Sequence, residues 1–404
     1  MNEETDRLRI LFLTSIDHPQ VRYEAEYLGE KLELTYIVAP TLEKKQITYS
    51  LRCLFKKFPL ICVSLLKLSV PPLPQILTYV LICSIILEKE KLENKKYDLI
   101  YAHWLFPAGF VGLILSRILK CKLVSAVWGY DVQVAPGLKD YGVQGLKRVI
   151  SRYVIEKSDL IIVRKRLHEQ LARHLSKPEA HDKIIFVPPA IRDISRNTLE
   201  GLTDELKGRL GLDYDDLSRN KIVLYSPSLR PLYGIMDFIR AVPIVKRSIK
   251  DCIFIIVGEG ELKKEVVKFV RENKLEDRVI LLGRLSHESI RALYKLSALV
   301  CDLAYPGTAT TTMEALCFGK PVIGIYAADT HILHGINGFL IKKGDYEGLA
   351  RYMIAVLGDG SLRNELSIRA RKMFDEKFNI ERGTNTILEV LKGLGYRMPS
   401  ESRR

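Results

Sequence analysis

Between Pro306 and Pro321 the chain reads Pro-Gly-Thr-Ala-Thr-Thr-Thr-Met-Glu-Ala-Leu-Cys-Phe-Gly-Lys-Pro, and here its chemistry concentrates. Pro306 and Gly307 predict a turn, and Met313–Phe318 the body of a helix. Thr308, Thr310, Thr311 and Thr312 crowd the start of that helix. A helix N-terminus offers unpaired backbone N–H groups and the positive end of the dipole, which together attract anions. The threonine hydroxyls would add donors to phosphate oxygens. Glu314, one turn in, could grip two sugar hydroxyls. A threonine-capped helix without any ligand accounts for the same residues.

Other polar residues fall at the ends of apolar runs. The loop Ser226-Pro227-Ser228-Leu229-Arg230-Pro231-Leu232-Tyr233-Gly234 joins a strand to a helix and carries Arg230. Arg230 would offer a diphosphate a forked, permanent cation, or would simply be a solvated loop residue. Gly258-Glu259-Gly260 also follows a strand and opens a helix. It lacks a third glycine and a ribose-binding acid at the usual distance, so it reads as a tight turn as readily as a phosphate loop. The first strand ends in Thr14-Ser15-Ile16 with no glycine-rich turn, which argues against a dehydrogenase. His103, in Tyr101-Ala102-His103-Trp104, is placed to carry a proton or contact substrate, or to be structural. Asp131, in Trp128-Gly129-Tyr130-Asp131, could act as a base or cap the segment that follows.

These residues need strand ends to position them, and the chain supplies them. Apolar runs at Arg9–Thr14, Leu34–Ala39, Tyr97–Ala102, Leu123–Trp128, Leu160–Val163 and Ile184–Pro188 alternate with helical patterns such as Gln20–Leu32, Gly109–Leu119 and Gly145–Lys157. A second series follows at Ile222–Tyr225, Ile253–Val257, Val279–Leu282, Leu299–Leu303 and Val322–Ile325, with helices at Gly234–Ser248, Glu261–Asn273, Ser286–Leu296 and Asp345–Leu357. The turn Gly335-Ile336-Asn337-Gly338 predicts a last short strand. Alternation of this kind predicts α/β folding with parallel sheets covered on both faces. The organisation expected is residues 1–192, a polar connection at 193–220, a second doubly wound domain at 221–375, and a helical tail at 376–404 packing back on the first. The last segment, Leu362–Lys392, reads as helical and long. Two such domains facing each other would leave a ligand cleft at the carboxyl ends of their strands.

The bulk properties narrow the partners. With 47% hydrophobic and 27% charged residues the chain is an ordinary globular one. Seven scattered cysteines without CxxC spacing predict reduced thiols, not a disulfide frame or zinc site. The net charge is +14, and residues 51–192 hold 23 Lys and Arg against 11 Asp and Glu. A basic half suggests an anionic partner, with no motif for nucleic acid. In residues 51–96, Arg52, Lys56 and Lys57 alternate with Leu51, Leu54, Phe55 and Phe58, a composition suited to an anionic membrane surface. The uncharged run Leu68–Leu87 is broken by Pro71, Pro72 and Pro74. Its clean part, Gln75–Leu87, is too short to span a bilayer. The acidic, polar start Met1–Asp6 does not read as a signal peptide. The expectation is a cytoplasmic protein, peripheral on the inner face of the cell membrane.

Taken together the motifs resemble the GT-B class of nucleotide-sugar glycosyltransferases, most closely the family 4 type. The resemblance rests on Ile256-Val257-Gly258-Glu259-Gly260, Asp277-Arg278-Val279-Ile280-Leu281-Leu282-Gly283, Ile290-Arg291-Ala292-Leu293-Tyr294, Met313-Glu314-Ala315-Leu316, Gly319-Lys320-Pro321-Val322-Ile323 and Asn337-Gly338-Phe339-Leu340. More thinly, it includes Tyr97–Trp104, Trp128–Val132 and Val187-Pro188-Pro189-Ala190-Ile191. It implies a GT-B fold of two Rossmann-like domains and a donor site in which Glu314 holds the ribose. The start of the helix, with Gly307, Thr308, Thr310 and Thr311, would hold the diphosphate together with Arg230 and Gly258. The backbone around Arg284 would meet the base. Pro306 stands where the family has the first acid of its pair, and Ser228 and Tyr233 where it has Arg and Lys. Trp128 replaces the His of its His-Gly-x-Asp. The Gly307-Thr308 turn is also similar to that of inverting, lipid-linked GlcNAc transferases.

The function expected is transfer of a sugar from a nucleotide-diphosphate sugar to a glycan or polyprenyl-linked acceptor in glycan biosynthesis. It needs no metal and no cofactor beyond that co-substrate. Retention is favoured over inversion. An inverting enzyme would need a base, for which His103 and Asp131 are the candidates, whereas in retention the leaving diphosphate can take the acceptor proton. The alternatives are a GT-B nucleotide-sugar epimerase and a non-catalytic nucleotide-sugar-binding protein.

Overall fold

The computed structural model describes residues 8–15, 18–38, 96–129, 131–132, 145–196, 202–210, 220–305, 310–327 and 330–396. Residues 51–95, which hold most of the basic, apolar stretch, lie outside them, as do Pro306, Gly307 and Thr308. The chain falls into two compact units, Met1–Pro189 with Gly383–Arg404, and Ala190–Arg382.

The first unit is built on a sheet of β1 (Arg9–Thr14), β2 (Glu33–Val38), β3 (Leu99–His103), β4 (Lys122–Val127), β5 (Leu160–Val163) and β6 (Ile184–Phe186). Their order is β2-β1-β3-β4-β5-β6 and every pairing is parallel. Its helices are α1 (Pro19–Lys31), α2 (Phe110–Leu119), α3 (Gly145–Lys157) and α4 (Arg166–Leu175). Alternate residues of β5 face opposite ways. Leu160 and Ile162 belong to the core cluster that also holds Val21 and Leu28 of α1, while Ile161 and Val163 belong to the one that holds Val154 and Ile155 of α3 and Ala172 of α4. A strand covered on both faces must be apolar throughout, which is why these strands read as unbroken hydrophobic runs.

The second unit repeats the scheme with β7 (Lys221–Tyr225), β8 (Cys252–Val257), β9 (Val279–Gly283), β10 (Ser297–Asp302), β11 (Val322–Ile325) and β12 (Gly338–Ile341). The order is β12-β11-β10-β7-β8-β9, again all parallel. Its helices are α5 (Asp204–Leu210), α6 (Ile235–Ser248), α7 (Lys263–Glu272), α8 (His287–Leu296), α9 (Thr310–Cys317), α10 (Tyr346–Gly358) and α11 (Gly360–Met373). Phe238, Val242 and Val245 of α6 meet Leu349, Met353 and Val356 of α10 over Tyr225, Phe254 and Cys301 of the sheet. In each sheet the order reverses beside the first strand, β1 in one and β7 in the other. Ligands of open α/β sheets bind outside the carboxyl ends of the strands at such a point.

Two features differ from the sequence reading. The polar segment 193–220, expected as a connection between domains, belongs to the second unit. Glu205 of α5 accepts from Ser286 Oγ and Ser289 Oγ, each at 2.7 Å, and Arg209 donates to the Leu282 carbonyl at 2.7 Å. The charges of Glu205 and Arg209 are thus met by the fold and not by solvent alone. The expected long helix Leu362–Lys392 is also two helices, α11 and α12 (Ile380–Gly393), separated by a π-helical turn at Phe374–Phe378 and an extended Asn379. The break serves tertiary pairing: Ile191 N donates to Phe378 O at 2.8 Å, and Ile380 N to Ile191 O at 2.9 Å. Beyond it, Ile387, Leu388 and Leu391 of α12 join the core of the first unit.

Candidate functional site

In the second unit the loops that follow β7 and β10 meet at the switch point. Tyr305 N donates to Leu232 O at 2.9 Å, joining the two. Ser226 directly follows β7, Asp302 ends β10, and α9 begins at Thr310. Glu314 is half-buried one turn into α9, and the phenol of Tyr294 on α8 donates to its Oε2 at 3.1 Å. Ser226 Oγ lies 3.0 Å from the same phenol oxygen. A phenol has one proton to give. With that proton on the ionised Glu314, the Ser226 hydroxyl is the donor to Tyr294. Tyr294 is itself buried and stacks on Phe318 at 5.8 Å. Asp302, with no exposed surface, accepts from Thr312 Oγ1 at 2.6 Å and so fixes the first turn of α9.

Burial pushes the Glu314 carboxyl up to about 7, against the Tyr294 hydrogen bond and the Arg291 charge, which pull it down. The group is therefore an acceptor that titrates near neutrality. Thr310 and Thr311 lie in the first turn of α9, with Thr311 buried. Gly307 and Thr308 fall outside the described residues.

Arg230 is exposed and precedes a short 3-10 turn, Pro231–Tyr233. Gly258 and Gly260 follow β8 in a turn that lies against the Arg230 loop. Leu229 N donates to Glu259 O at 3.1 Å, and Leu262 N to Leu229 O at 3.0 Å. A Cβ on Gly260 would sit 2.2 Å from the Leu229 carbonyl oxygen, so only glycine fits. Gly258 has φ +118°, a conformation other residues avoid. These glycines serve a close approach of two backbones. Arg284 is exposed just past Gly283, at the end of β9, and its carbonyl accepts from Arg209.

The first unit brings a different set together. His103, with no exposed surface, ends β3 and accepts on Nδ1 from the Trp128 indole N–H at 2.9 Å. That bond puts the neutral ring's proton on Nε2, which faces Glu24 Oε1 at 3.6 Å. Burial, followed by the nearby Arg164 and His18, holds the imidazole well below its ordinary pKa. Glu24 is paired with Arg164, Tyr101 donates to Glu24 at 2.7 Å, and Arg164 donates to Tyr101 at 3.0 Å. The Arg164 guanidinium lies 5.3 Å from the Trp128 ring. Two buried charges in this setting are tolerable only because they are paired and hydrogen-bonded.

Asp131 is also buried. Its Oδ2 accepts from Trp128 N at 3.0 Å, and the backbone N–H groups of Leu105 and Phe106 contribute too. Burial outweighs them and pushes its carboxyl up to about 7. Asp131 thus ties the turn after β4 to the segment after β3. Trp104, in that segment, is held at φ +71°, a strained conformation for a tryptophan.

Sequence reasoning singled out Glu314 but gave no role to Tyr294, Ser226 or Asp302. A polar residue where an apolar run ends, as Asp302 is at the last position of β10 and Ser226 just past β7, was the available signal. Glu24, Tyr101 and Arg164 come from three separate elements, and nothing local links them. Among the described residues no group of three or more His, Cys, Asp or Glu could hold a metal ion, and no helix is long and apolar enough to cross a membrane.

Residues 215–373 match the family model of glycosyl transferases group 1, and residues 82–165 that of glycosyl transferase 4-like. The chain is 23% identical to N-acetyl-alpha-D-glucosaminyl L-malate synthase of Bacillus anthracis, over 72% of this chain and 74% of that one. It is 22% identical to alpha-D-kanosaminyltransferase of Streptomyces kanamyceticus, over 71% and 75%. The crystal structure of Anabaena HepE in complex with UDP-glucose aligns with a TM-score of 0.68 at 19% identity, covering 96% of this chain and 100% of that one. One model falls on each unit in chain order, and both six-stranded parallel sheets are present, so the chain belongs to the family 4-type glycosyltransferases of the GT-B fold.

Proposed function

We propose that the chain transfers a sugar from a nucleotide-diphosphate donor to a glycan or lipid-linked acceptor, with retention and without a metal or other cofactor. The observation that carries the reading is the carboxylate of Glu314, oriented by Tyr294 one turn inside a helix that starts at the switch point of the second sheet. Glu314 accepts from the two ribose hydroxyls. The first turn of α9, with Thr310 and Thr311, takes the diphosphate together with Arg230; Gly307 and Thr308, expected to join it, lie outside the described residues. Gly258 lets the backbone approach the donor, and the backbone near Arg284 meets the base. The similarity to HepE, whose complexes hold UDP and UDP-glucose, supports a uridine donor.

In the reaction the bond between the sugar's anomeric carbon and the diphosphate oxygen breaks, and a bond from that carbon to the acceptor oxygen forms. The acceptor's proton passes to the leaving diphosphate. Negative charge grows on the diphosphate, where the helix dipole, the hydroxyls and Arg230 stabilise it. This route needs no protein base, which agrees with the burial of both His103 and Asp131. We assign those two to holding the carboxyl end of the first sheet in shape. The same burial also favours a second reading, donor binding without transfer.

The test is a calorimetric screen of UDP, GDP, ADP and TDP and their common sugar conjugates on wild type and Glu314→Ala. Saturable binding of one diphosphate, lost in the variant, supports the donor site and names the base. Binding by none of them overturns it. Release of nucleotide only when an acceptor fraction is added separates transfer from binding alone, while conversion of donor to an isomer would mark an epimerase. The composition of residues 51–96 supports the placement of the acceptor at the cytoplasmic membrane face. Failure to sediment with anionic vesicles overturns that placement.

A further inference from the structure

A polar cavity of about 250 Å³ opens in the second unit, lined by Ser297, Ala298, Lys320, Gly360, Arg363, Asn364 and Ser367. It lies at the amino end of β10, since Ser297 is the first residue of that strand and Asp302 the last. At about 3.3 Å per residue the two ends are roughly 17 Å apart, so the cavity is separate from the candidate donor site. Gly360, Arg363, Asn364 and Ser367 follow the three- and four-residue spacing that sets side chains on one helix face, here that of α11.

The lining has one sign of charge. Lys320 and Arg363 are cations, and no carboxylate lines the cavity among the described residues. Lys320 Nζ donates to the Lys295 carbonyl at 2.9 Å, where α8 ends, and Arg363 Nη1 to those of Val356 and Leu357 at 3.0 and 3.3 Å, where α10 ends. An ammonium has three donors and a guanidinium five, so each keeps donors that these carbonyls do not use. Asn364 and Ser367 add an amide and a hydroxyl that no other described group engages. Gly360, at the first position of α11, also lines the cavity, while the amino end of that helix is already capped by Asp359, whose Oδ1 accepts from Ser361 N at 2.8 Å and Leu362 N at 3.0 Å.

We propose that this cavity binds a small dianion, either phosphate itself or the phosphate of a small phosphomonoester. The cations, the unengaged hydrogen-bond donors and the absence of a lining acid all favour a compact, doubly charged acceptor. Burial lowers the Lys320 ammonium to about 8, with no carboxylate to offset it. A bound dianion would supply that missing partner, so affinity should fall as pH rises through 8.

The experiment is isothermal titration of the full chain with inorganic phosphate and, in a parallel arm, glycerol 3-phosphate. UDP is present at saturation to block the donor site. The variants are Lys320→Met, which keeps the apolar stem, and Ser367→Asp, which puts a carboxylate into the cavity without touching the helix ends. Binding of either ligand to wild type, weakened at least tenfold in both variants, supports the site, and tighter binding of the ester identifies an organic phosphate as its occupant. No binding at millimolar concentration, or binding unchanged in both variants, overturns it. Failure of the wild type to bind UDP bears on the donor reading alone. In that case the titration is repeated without nucleotide, and the two variants still decide.

Discussion

The phenol of Tyr294 and the carboxylate of Glu314 are 3.1 Å apart, on different helices, and the phenol also reaches Ser226 just past β7. One hydroxyl thus aims the carboxylate and ties α9 to the strand before the Arg230 loop. Tyr294→Phe keeps the ring and its stack on Phe318 while removing that hydroxyl. A hydrogen bond to a charged group contributes about 1.5–3 kcal/mol. The expected result is a loss of that order in nucleotide affinity, with a smaller drop in thermal midpoint because the ring still packs. Glu314→Ala should weaken nucleotide binding by about 1–3 kcal/mol with the far-ultraviolet circular dichroism unchanged. Loss of stability with binding intact would make both residues structural.

The titration of Glu314 near 7 gives nucleotide binding a pH dependence of definite sign. Only the ionised carboxylate accepts from both ribose hydroxyls, so affinity should rise between pH 6 and pH 8, and binding at the lower pH should release protons. The stability of the free protein runs the other way. The folded carboxyl is raised above its ordinary value of 4.5, so its contribution is present below that pH and is lost as pH rises through 7. Glu314→Gln should flatten both curves in calorimetry at the two pH values.

The strands were legible because burial keeps them largely apolar, with most of their polar residues at the ends. Arg9–Thr14, Leu160–Val163 and Val322–Ile325 stand in the structure at the bounds their apolar runs predict. Helix α9 was half legible. Its body reads at Met313–Phe318 with the threonines at its start, and in the structure those threonines are themselves helical from Thr310, with Thr312 anchored on the buried Asp302. The split between α11 and α12 left no local trace, because it answers to Ile191, almost two hundred residues away in the chain. Glu314 stood out as an acid beside a helix start. Its orienting Tyr294 did not, since an aromatic residue at helical spacing reads as core.

Gly260→Ala is expected to be far costlier than a single methyl group suggests. The new Cβ would lie 2.2 Å from a backbone oxygen that already accepts from Leu262, so the Arg230 loop or the β8 turn must move. Overpacking against backbone costs on the order of 1–3 kcal/mol or more. The denaturant midpoint should fall accordingly. Nucleotide affinity measured on the remaining folded protein should fall as well, because the displaced loop carries Arg230.

Asp131→Asn distinguishes a shaping role from a chemical one. Removing a general base costs about 10²–10⁴-fold in rate. Asparagine keeps one acceptor oxygen for the Trp128 N–H and turns the other into a donor facing backbone donors. A stability loss of about 1–3 kcal/mol is expected, with turnover per folded molecule within about tenfold. Burial raises the folded carboxyl to about 7, so the wild type loses this group's contribution as pH rises through that value. The variant should show no such step in thermal midpoint between pH 6 and pH 8.

Arg371 should govern stability on the acid side. Its guanidinium donates to Asp193 Oδ2 at 2.6 Å, Asp375 Oδ1 at 2.8 Å, Ser195 Oγ at 2.8 Å and the Cys317 carbonyl at 2.6 Å. It therefore fastens the last residue of α9 to α11 and to the segment around Asp193. Burial alone would raise the Asp193 carboxyl, but the hydrogen bonds from Arg371, Ser195 and Cys317 outweigh it and hold the group well below its ordinary 3.8. A depressed carboxyl contributes stability above its unfolded pKa and loses it as pH falls toward the folded one. The wild type should therefore lose thermal midpoint steadily below about pH 4. Arg371→Met keeps the stem but removes every one of its hydrogen bonds, leaving a largely buried carboxylate held, among the described residues, by Ser195, Cys317 and the exposed Arg196. Destabilisation of about 2–4 kcal/mol at neutral pH is expected, shrinking as pH falls and Asp193 protonates. A difference between wild type and variant that stays constant from pH 7 to pH 3 would mean that packing of the Arg371 stem, and not its charge, holds α9 to α11.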